Sequence, residues 1–363
     1  MRKFTNIFGL IFSILITYMI FSAITQNWSI FFDGLFSSFD GPLFIEKLLT
    51  KMTIIILIST AMLILKKVGI FDVAAPGKFL IAILCIYLSS YSTSGSGSTK
   101  VFVGCIVGII VMFTLSGAIL ALKVRFNVNE VAFGLMFNFI ALFIYKAVMG
   151  SQSSSVSWMD NFGNLAEMGK LTNFHSGEGE LTVFIIPAII IPILVWFFFR
   201  YTPTGMKIII VGEGEKLAKT MGVKITKKYF IATFLSSSIM VLALLAQLFS
   251  KESGQLSRSI TATPSIVWTG IAISLIITSN PFTIYAYSFI FAMVYRSTTY
   301  MQAIANIDPQ TIDMITGILM ISVAIIPFCI KKIDLKVGHK IEKFESNVYS
   351  KIQNTKIIRR LKR

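Results

Sequence analysis

The chain has 363 residues, 55% of them hydrophobic and only 14% charged, with a mean hydropathy of +0.78 and a net charge of +16. A soluble fold of this length carries far more polar surface, so the composition leaves no soluble domain to assign and makes the bilayer the solvent. The basic residues lie between and after the apolar runs, with no aromatic-basic pattern for reading bases, so membrane topology explains the charge and a nucleic-acid partner does not.

The N-terminus, Met1-Arg2-Lys3 followed by Phe4 to Ile24, is signal-like in charge, but its apolar stretch is longer than a signal core and lacks a small-x-small cleavage site. It reads as a retained first span. Apolar runs at 4–24, 48–65, 70–90, 101–122, 130–149, 182–199, 229–249, 265–279, 281–296 and 311–330 predict an all-α integral membrane protein of about ten spans. With the N-terminus inside, the inner segments hold 24 of the 33 Lys and Arg residues, which places both termini in the cytoplasm. The expected organisation is a transmembrane domain over 1–330, with an inner loop at 200–228, followed by a tail at 331–363.

The segment Gly69-Ile-Phe-Asp-Val-Ala-Ala-Pro-Gly-Lys78 puts an acid, a proline, a glycine and a lysine ahead of a short apolar run. An unbroken helix is not expected there. Asp72 and Lys78 are six residues apart, about 120° around a helix, and pair only if the chain breaks near Pro76. Two readings stand: a discontinuous element lining a polar pathway, or a lysine that snorkels to the interface.

In the fifth run Glu130, Gly134, Asn138, Ala141 and Tyr145 recur at helical spacing, a small-and-polar stripe that avoids lipid. It serves as helix-helix glue or as a ligand face, with Asn138 the best mid-membrane polar candidate. Asp72, Lys78, Glu130 and Asn138 are therefore the candidate pathway residues. The outer loop at 150–181 is acidic and solvated, a plain loop or a docking surface.

In the inner loop, Glu213 to Met221 runs acids first and lysines last, with Gly222 after it, which predicts a surface helix of about two turns. Such a helix calls for a partner, whereas a solvated connector has less organised ends. From Lys331 onward Val337, Ile341, Phe344, Val348 and Ile352 recur between lysines, predicting an amphipathic basic helix against anionic lipid.

The sequence holds neither GxxxxGK[ST] nor HExxH, and its acids cluster in loops or near span ends. An ATPase site, metal chemistry and a proton-driven carrier are all disfavoured. An ion-coupled secondary transporter and a membrane scaffold are two of the readings these residues leave open.

Four stretches together resemble the permease superfamily of ABC importers for branched-chain amino acids, ribose-type sugars and nucleosides. Residues 69–78 are similar to its GLFNIGAEGQ-like segment, and Asn129-Glu-Val-Ala-Phe-Gly-Leu-Met-Phe-Asn-Phe-Ile-Ala141 to its NEVxxxLMLNYIA-like segment. Thr204-Gly to Val211-Gly-Glu213 with Ala218 and Gly222-Val223 is similar to its GxxxRAVGENxxAAxxxGI loop, and Asp308 to Leu319 to its final span. The resemblance implies a coupling helix that docks on a separate ABC ATPase, drawn from Gly212, Glu213, Glu215, Lys216, Ala218, Lys219 and Gly222. It also implies a second related permease, an extracytoplasmic substrate-binding lipoprotein, the bacterial inner membrane as location, and ATP and magnesium held by the partner ATPase, with no cofactor in this chain. The NEV segment and long N-terminal extension look most like the larger permease of bacterial nucleoside importers fed by basic-membrane-protein lipoproteins, which implies a purine nucleoside, with ribose-like sugars as the alternative. The sequence departs from the pattern at Asp72, Pro76 and Lys78, where Asn, Glu and Gln are usual.

Overall fold

The computed structural model describes residues 44–92, 97–126, 128–150, 183–248, 264–277, 282–305 and 317. Among them are ten helices: α1 (Phe44–Val68), α2 (Ala75–Ser92), α3 (Gly97–Phe126), α4 (Glu130–Gly150), α5 (Ile185–Tyr201), α6 (Pro203–Glu213), α7 (Glu215–Thr220), α8 (Ile225–Leu248), α9 (Ser265–Ile276) and α10 (Phe282–Ala305). All ten belong to one compact unit, Trp28–Thr316. The proposed first span, the outer loop from 151 and the basic tail lie outside the described residues, as does the last span apart from Gly317.

Helix α1 is apolar on every side, and a helix of that kind is buried on every side. It packs against α5, α6, α8, α9 and α10, and 89% of its membrane-length window is buried, against 22% for α3 and 28% for α4. Its hydroxyls stay inside because each returns to its own helix: Thr50 donates to the Glu46 carbonyl at 2.9 Å, Ser59 to Ile55 at 2.6 Å and Thr60 to Ile56 at 2.7 Å. Across the core, Ser236 of α8 donates to the Ala61 carbonyl at 2.8 Å. On α9 a Cβ at Gly270 would stand 2.3 Å from Ile58, so only glycine permits that approach.

Helices α1, α3, α4 and α8 are long and apolar enough to cross a bilayer, and α5 with α6 makes a fifth candidate bent by 81°. The runs read as 70–90, 265–279 and 281–296 give shorter apolar helices. The first is short because residues 69–74 leave the helix. The 12-residue α9 is about 18 Å long, well under a bilayer core. Its C-terminal carbonyls are met by Lys66 of α1, whose ammonium donates to Ser274, Leu275 and Ile277 at 2.9, 2.7 and 3.0 Å. A cation there answers both the orphan acceptors and the negative end of the helix dipole.

Candidate functional site

The break after α1 is a Schellman turn. Gly69 sits at φ +83°, its N–H donates to the Lys66 carbonyl at 3.1 Å, and the Ile70 N–H reaches the Leu65 carbonyl at 2.9 Å. The chain runs on without helix until Ala75 opens α2. Pro76 is the second residue of that helix, where a missing N–H costs nothing. The break therefore precedes Pro76 and ends at it.

This bend brings Asp72 and Lys78 together. They form a salt bridge with both side chains only 6% exposed, and the Lys78 ammonium also donates to Ser116 of α3 at 3.0 Å. The ammonium thus ends on two buried oxygens rather than snorkelling out. A cavity of about 30 Å³ lies beside the pair, lined among others by Asp72, Lys78, Ser116, Lys123, Glu130 and Thr233. Asp72 Oδ1 is buried with no hydrogen-bond partner among the described residues, and the cavity is roomy and polar enough for about one water.

The α4 stripe faces this bend. Gly134, Asn138, Ala141 and Tyr145 are buried while their neighbours Met136, Phe139 and Phe143 are exposed. A Cβ on Gly134 would lie 2.8 Å from the Ala74 nitrogen. Asn138 spends both ends of its amide on the bend: Oδ1 accepts from the Gly77 N–H at 2.8 Å and Nδ2 donates to the Val73 carbonyl at 2.9 Å. Glu130 accepts from the Phe71 N–H at 3.1 Å. The stripe is a fastener for residues 71–77. Asn138→Leu strands two buried backbone groups at about 1–3 kcal/mol each, so a drop of roughly 2–6 kcal/mol in detergent unfolding is expected.

Lys123, counted in the sequence only for topology, is the hub of this region. Its ammonium lies 2.8 Å from Glu130 Oε2, 3.3 Å from the Gly69 carbonyl and 5.4 Å from the centre of the Tyr229 ring. The Tyr229 hydroxyl in turn donates to Glu215 Oε1 at 2.9 Å. An unbroken line of contacts thus runs from α7, through the starts of α8 and α4 and the end of α3, to the bend. Sequence reading missed Tyr229, whose only signal was an aromatic at the mouth of a span.

The stretch 200–228 holds two helices where one was expected. Thr202 ends α5 and caps α6, its Oγ1 accepting from the Gly205 N–H at 3.1 Å, and Pro203 takes the first helical position. A Cβ on Gly205 would meet the Phe198 carbonyl at 2.3 Å, so this Thr-Pro-x-Gly corner makes the 81° bend. Glu213 is the last residue of α6, not the first of the next helix, which runs only from Glu215 to Thr220. Gly222, at φ +70°, closes it as the acid-first pattern implied: the Gly222 and Val223 N–H groups reach the Lys219 and Ala218 carbonyls at 3.0 and 2.9 Å. Ala218 faces inward, while Glu215, Lys216, Leu217, Lys219 and Met221 are exposed.

Gly212 brings α6 against the bend. A Cβ there would stand 2.1 Å from the Lys67 carbonyl oxygen, and one on Gly69 3.4 Å from Gly212 Cα. Of the residues singled out by sequence, Asp72, Lys78, Glu130 and Asn138 form one cluster. Gly212 touches its edge, and Glu215 joins it through Tyr229. Glu213, Lys216 and Lys219 point away from it into the open.

Residues 44–324 match a family described as branched-chain amino acid transport system / permease component. The chain is 25% identical over 333 residues to the uncharacterized protein MG120 of Mycoplasma genitalium, and 26% identical over 336 residues to its homolog in Mycoplasma pneumoniae. These alignments cover 86% and 85% of the chain but 62% of each relative, so the chain spans less than two thirds of their length. Solved structures with partial likeness include PsaBC from Streptococcus pneumoniae in complex with Fab, at TM-score 0.45, 11% identity and coverage of 82% of this chain and 93% of that one. Another is a metal-chelate type ABC transporter in an inward-facing conformation, at TM-score 0.43, 14% identity and coverage of 88% and 96%.

Proposed function

The chain belongs to the branched-chain amino acid transport system permease family, a family of ABC transporter permease subunits, and from that premise we infer that it forms half of an ATP-driven import pathway for purine nucleosides. The proposed assembly pairs it with a second related permease and two ATPase chains that hold ATP and magnesium. An extracytoplasmic lipoprotein delivers the substrate. The chain sits in the bacterial cytoplasmic membrane with about ten spans and both termini inside, and its tail from 331 lies on anionic lipid. The purine nucleoside rests on the NEV resemblance, and ribose-like sugars are the competing substrate.

The mechanism is conformational, since every charged group in the cluster is engaged in holding backbone or in a salt bridge. The ATPase docks on α7 and the end of α6, where exposed Leu217 and Met221 stand beside Lys216 and Lys219. One observation carries this reading: the same short helix is tied through Tyr229 and Lys123 to the bend at 69–78. Movement of α7 then biases the bend, and with it α1 and α2, between inward- and outward-facing states.

The test separates docking from transmission. Glu213→Arg, or deletion of 216–220, is expected to abolish co-purification of the ATPase and uptake together. Tyr229→Phe removes only the bond to Glu215, worth about 1.5–3 kcal/mol for a charged acceptor, so the ATPase still co-purifies while uptake falls roughly tenfold. Normal uptake in the deletion variant would sink the docking assignment. Uptake by the purified chain alone in liposomes, following an ion gradient, would establish a secondary transporter instead.

A further inference from the structure

We propose that the half-open apolar cavity between α1, α5, α6, α10 and the C-terminal end of α9 is a binding site for an anionic phospholipid. The cavity measures about 180 Å³, larger than the roughly 150 Å³ apolar cavity that takes up a benzene-sized guest. Its interior is built from Leu63, Pro192, Val195, Phe199, Ile209 and Ile284. Lys67 and Arg200 line it as well, each in the last turn of its helix. The Arg200 guanidinium is exposed and lies 5.7 Å from the centre of the Trp196 ring, which also lines the cavity.

The order of chemistry is that of a lipid: an apolar interior for the acyl chain, an indole at the depth of the glycerol region, and two basic side chains for the phosphate. A free phosphate gains nothing from the apolar interior, and an uncharged apolar guest gains nothing from the cations. Helix α5 shapes the site through Pro192, which is buried and removes the backbone bond to the Ala188 carbonyl.

The position gives the lipid a task. Arg200 and Ile209 stand on either side of the Thr202 corner, so a bound lipid braces the 81° angle between α5 and α6. That angle sets where Gly212 meets α1. The site does not depend on which substrate crosses the membrane.

The experiment uses the full chain in nanodiscs of phosphatidylcholine, with increasing fractions of phosphatidylglycerol or phosphatidylcholine brominated on the acyl chain. Trp196 is the reporter, its share of the emission taken as the difference between the wild type and Trp196→Phe. Brominated phosphatidylglycerol is expected to quench that share at a several-fold lower mole fraction than brominated phosphatidylcholine. Lys67→Gln and Arg200→Gln are each expected to weaken the preference about fivefold, near 1 kcal/mol per cation. Equal quenching by the two lipids would mean ordinary boundary lipid and overturn the proposal, as would a preference untouched by both substitutions. Displacement by inorganic phosphate would reassign the site to a free anion. Should Trp196→Phe fail to fold, Arg200→Gln, a change at an exposed residue, carries the test through total emission: an undiminished phosphatidylglycerol preference overturns the proposal.

Discussion

Lys78→Met alone is expected to cost about 3–5 kcal/mol of stability, and Asp72→Leu made in the same chain to restore most of it. The single change leaves the Asp72 carboxylate, 6% exposed, without its counter-charge, and it must then be protonated or draw water into the small cavity beside Ser116. The double change removes both charges and fills their space with apolar atoms, which in other buried pairs is neutral or stabilising. Thermal unfolding in detergent measures the stability, and uptake by the reconstituted transporter measures the function. Recovered stability with uptake still down tenfold or more would mean that the pair opens and recloses in the transport cycle. Recovery of both would mean that it serves only to fix the bend. Unchanged stability of Lys78→Met would refute the burial of the pair.

The bend and the stripe were legible in the sequence for different physical reasons. Asp72, Pro76, Gly77 and Lys78 announce a break because each is costly inside an apolar helix. Glu130 to Tyr145 announce a protected face because helical periodicity is local. That the two features clasp each other, Asn138 holding Gly77 and Val73, was not legible, since the partners stand some sixty residues apart and nothing in either pattern names the other. The Lys123 hub was hidden likewise: a lysine at a span end satisfies the positive-inside rule whether or not it binds Glu130 and the Gly69 carbonyl. In the loop at 200–228, one helix was expected, starting at Glu213. The structure puts the boundary at Gly214, whose extended φ of 167° separates the two helices. Acid-first, lysine-last order fixes the polarity of a helix, but two glycines alternating with two glutamates leave its first residue open.

Three glycines in that loop give the second large effect, because the structure assigns each a different penalty. Gly212→Ala drives a methyl to 2.1 Å from the Lys67 carbonyl oxygen, a backbone obstacle that no rotamer avoids, so α6 must move away from α1. Overpacking of this kind costs about 1–3 kcal/mol. Uptake is expected to fall further than stability, at least tenfold, because the displaced contact is the one joining the loop to the bend. Gly222→Ala meets open space but holds a positive φ of 70°, so it should cost about 1–2 kcal/mol and fray α7 rather than shift it, weakening ATPase co-purification. Gly214→Ala meets open space in an extended conformation that any residue adopts, and is expected to change stability by less than about 0.5 kcal/mol. The ranking for uptake is then Gly212→Ala worst and Gly214→Ala nearest to the wild type, read with the ATPase present in excess to separate transmission from docking. If Gly212→Ala transports as well as Gly214→Ala, the contact between α6 and the end of α1 plays no part in coupling, and the route through Glu215, Tyr229 and Lys123 must carry it alone.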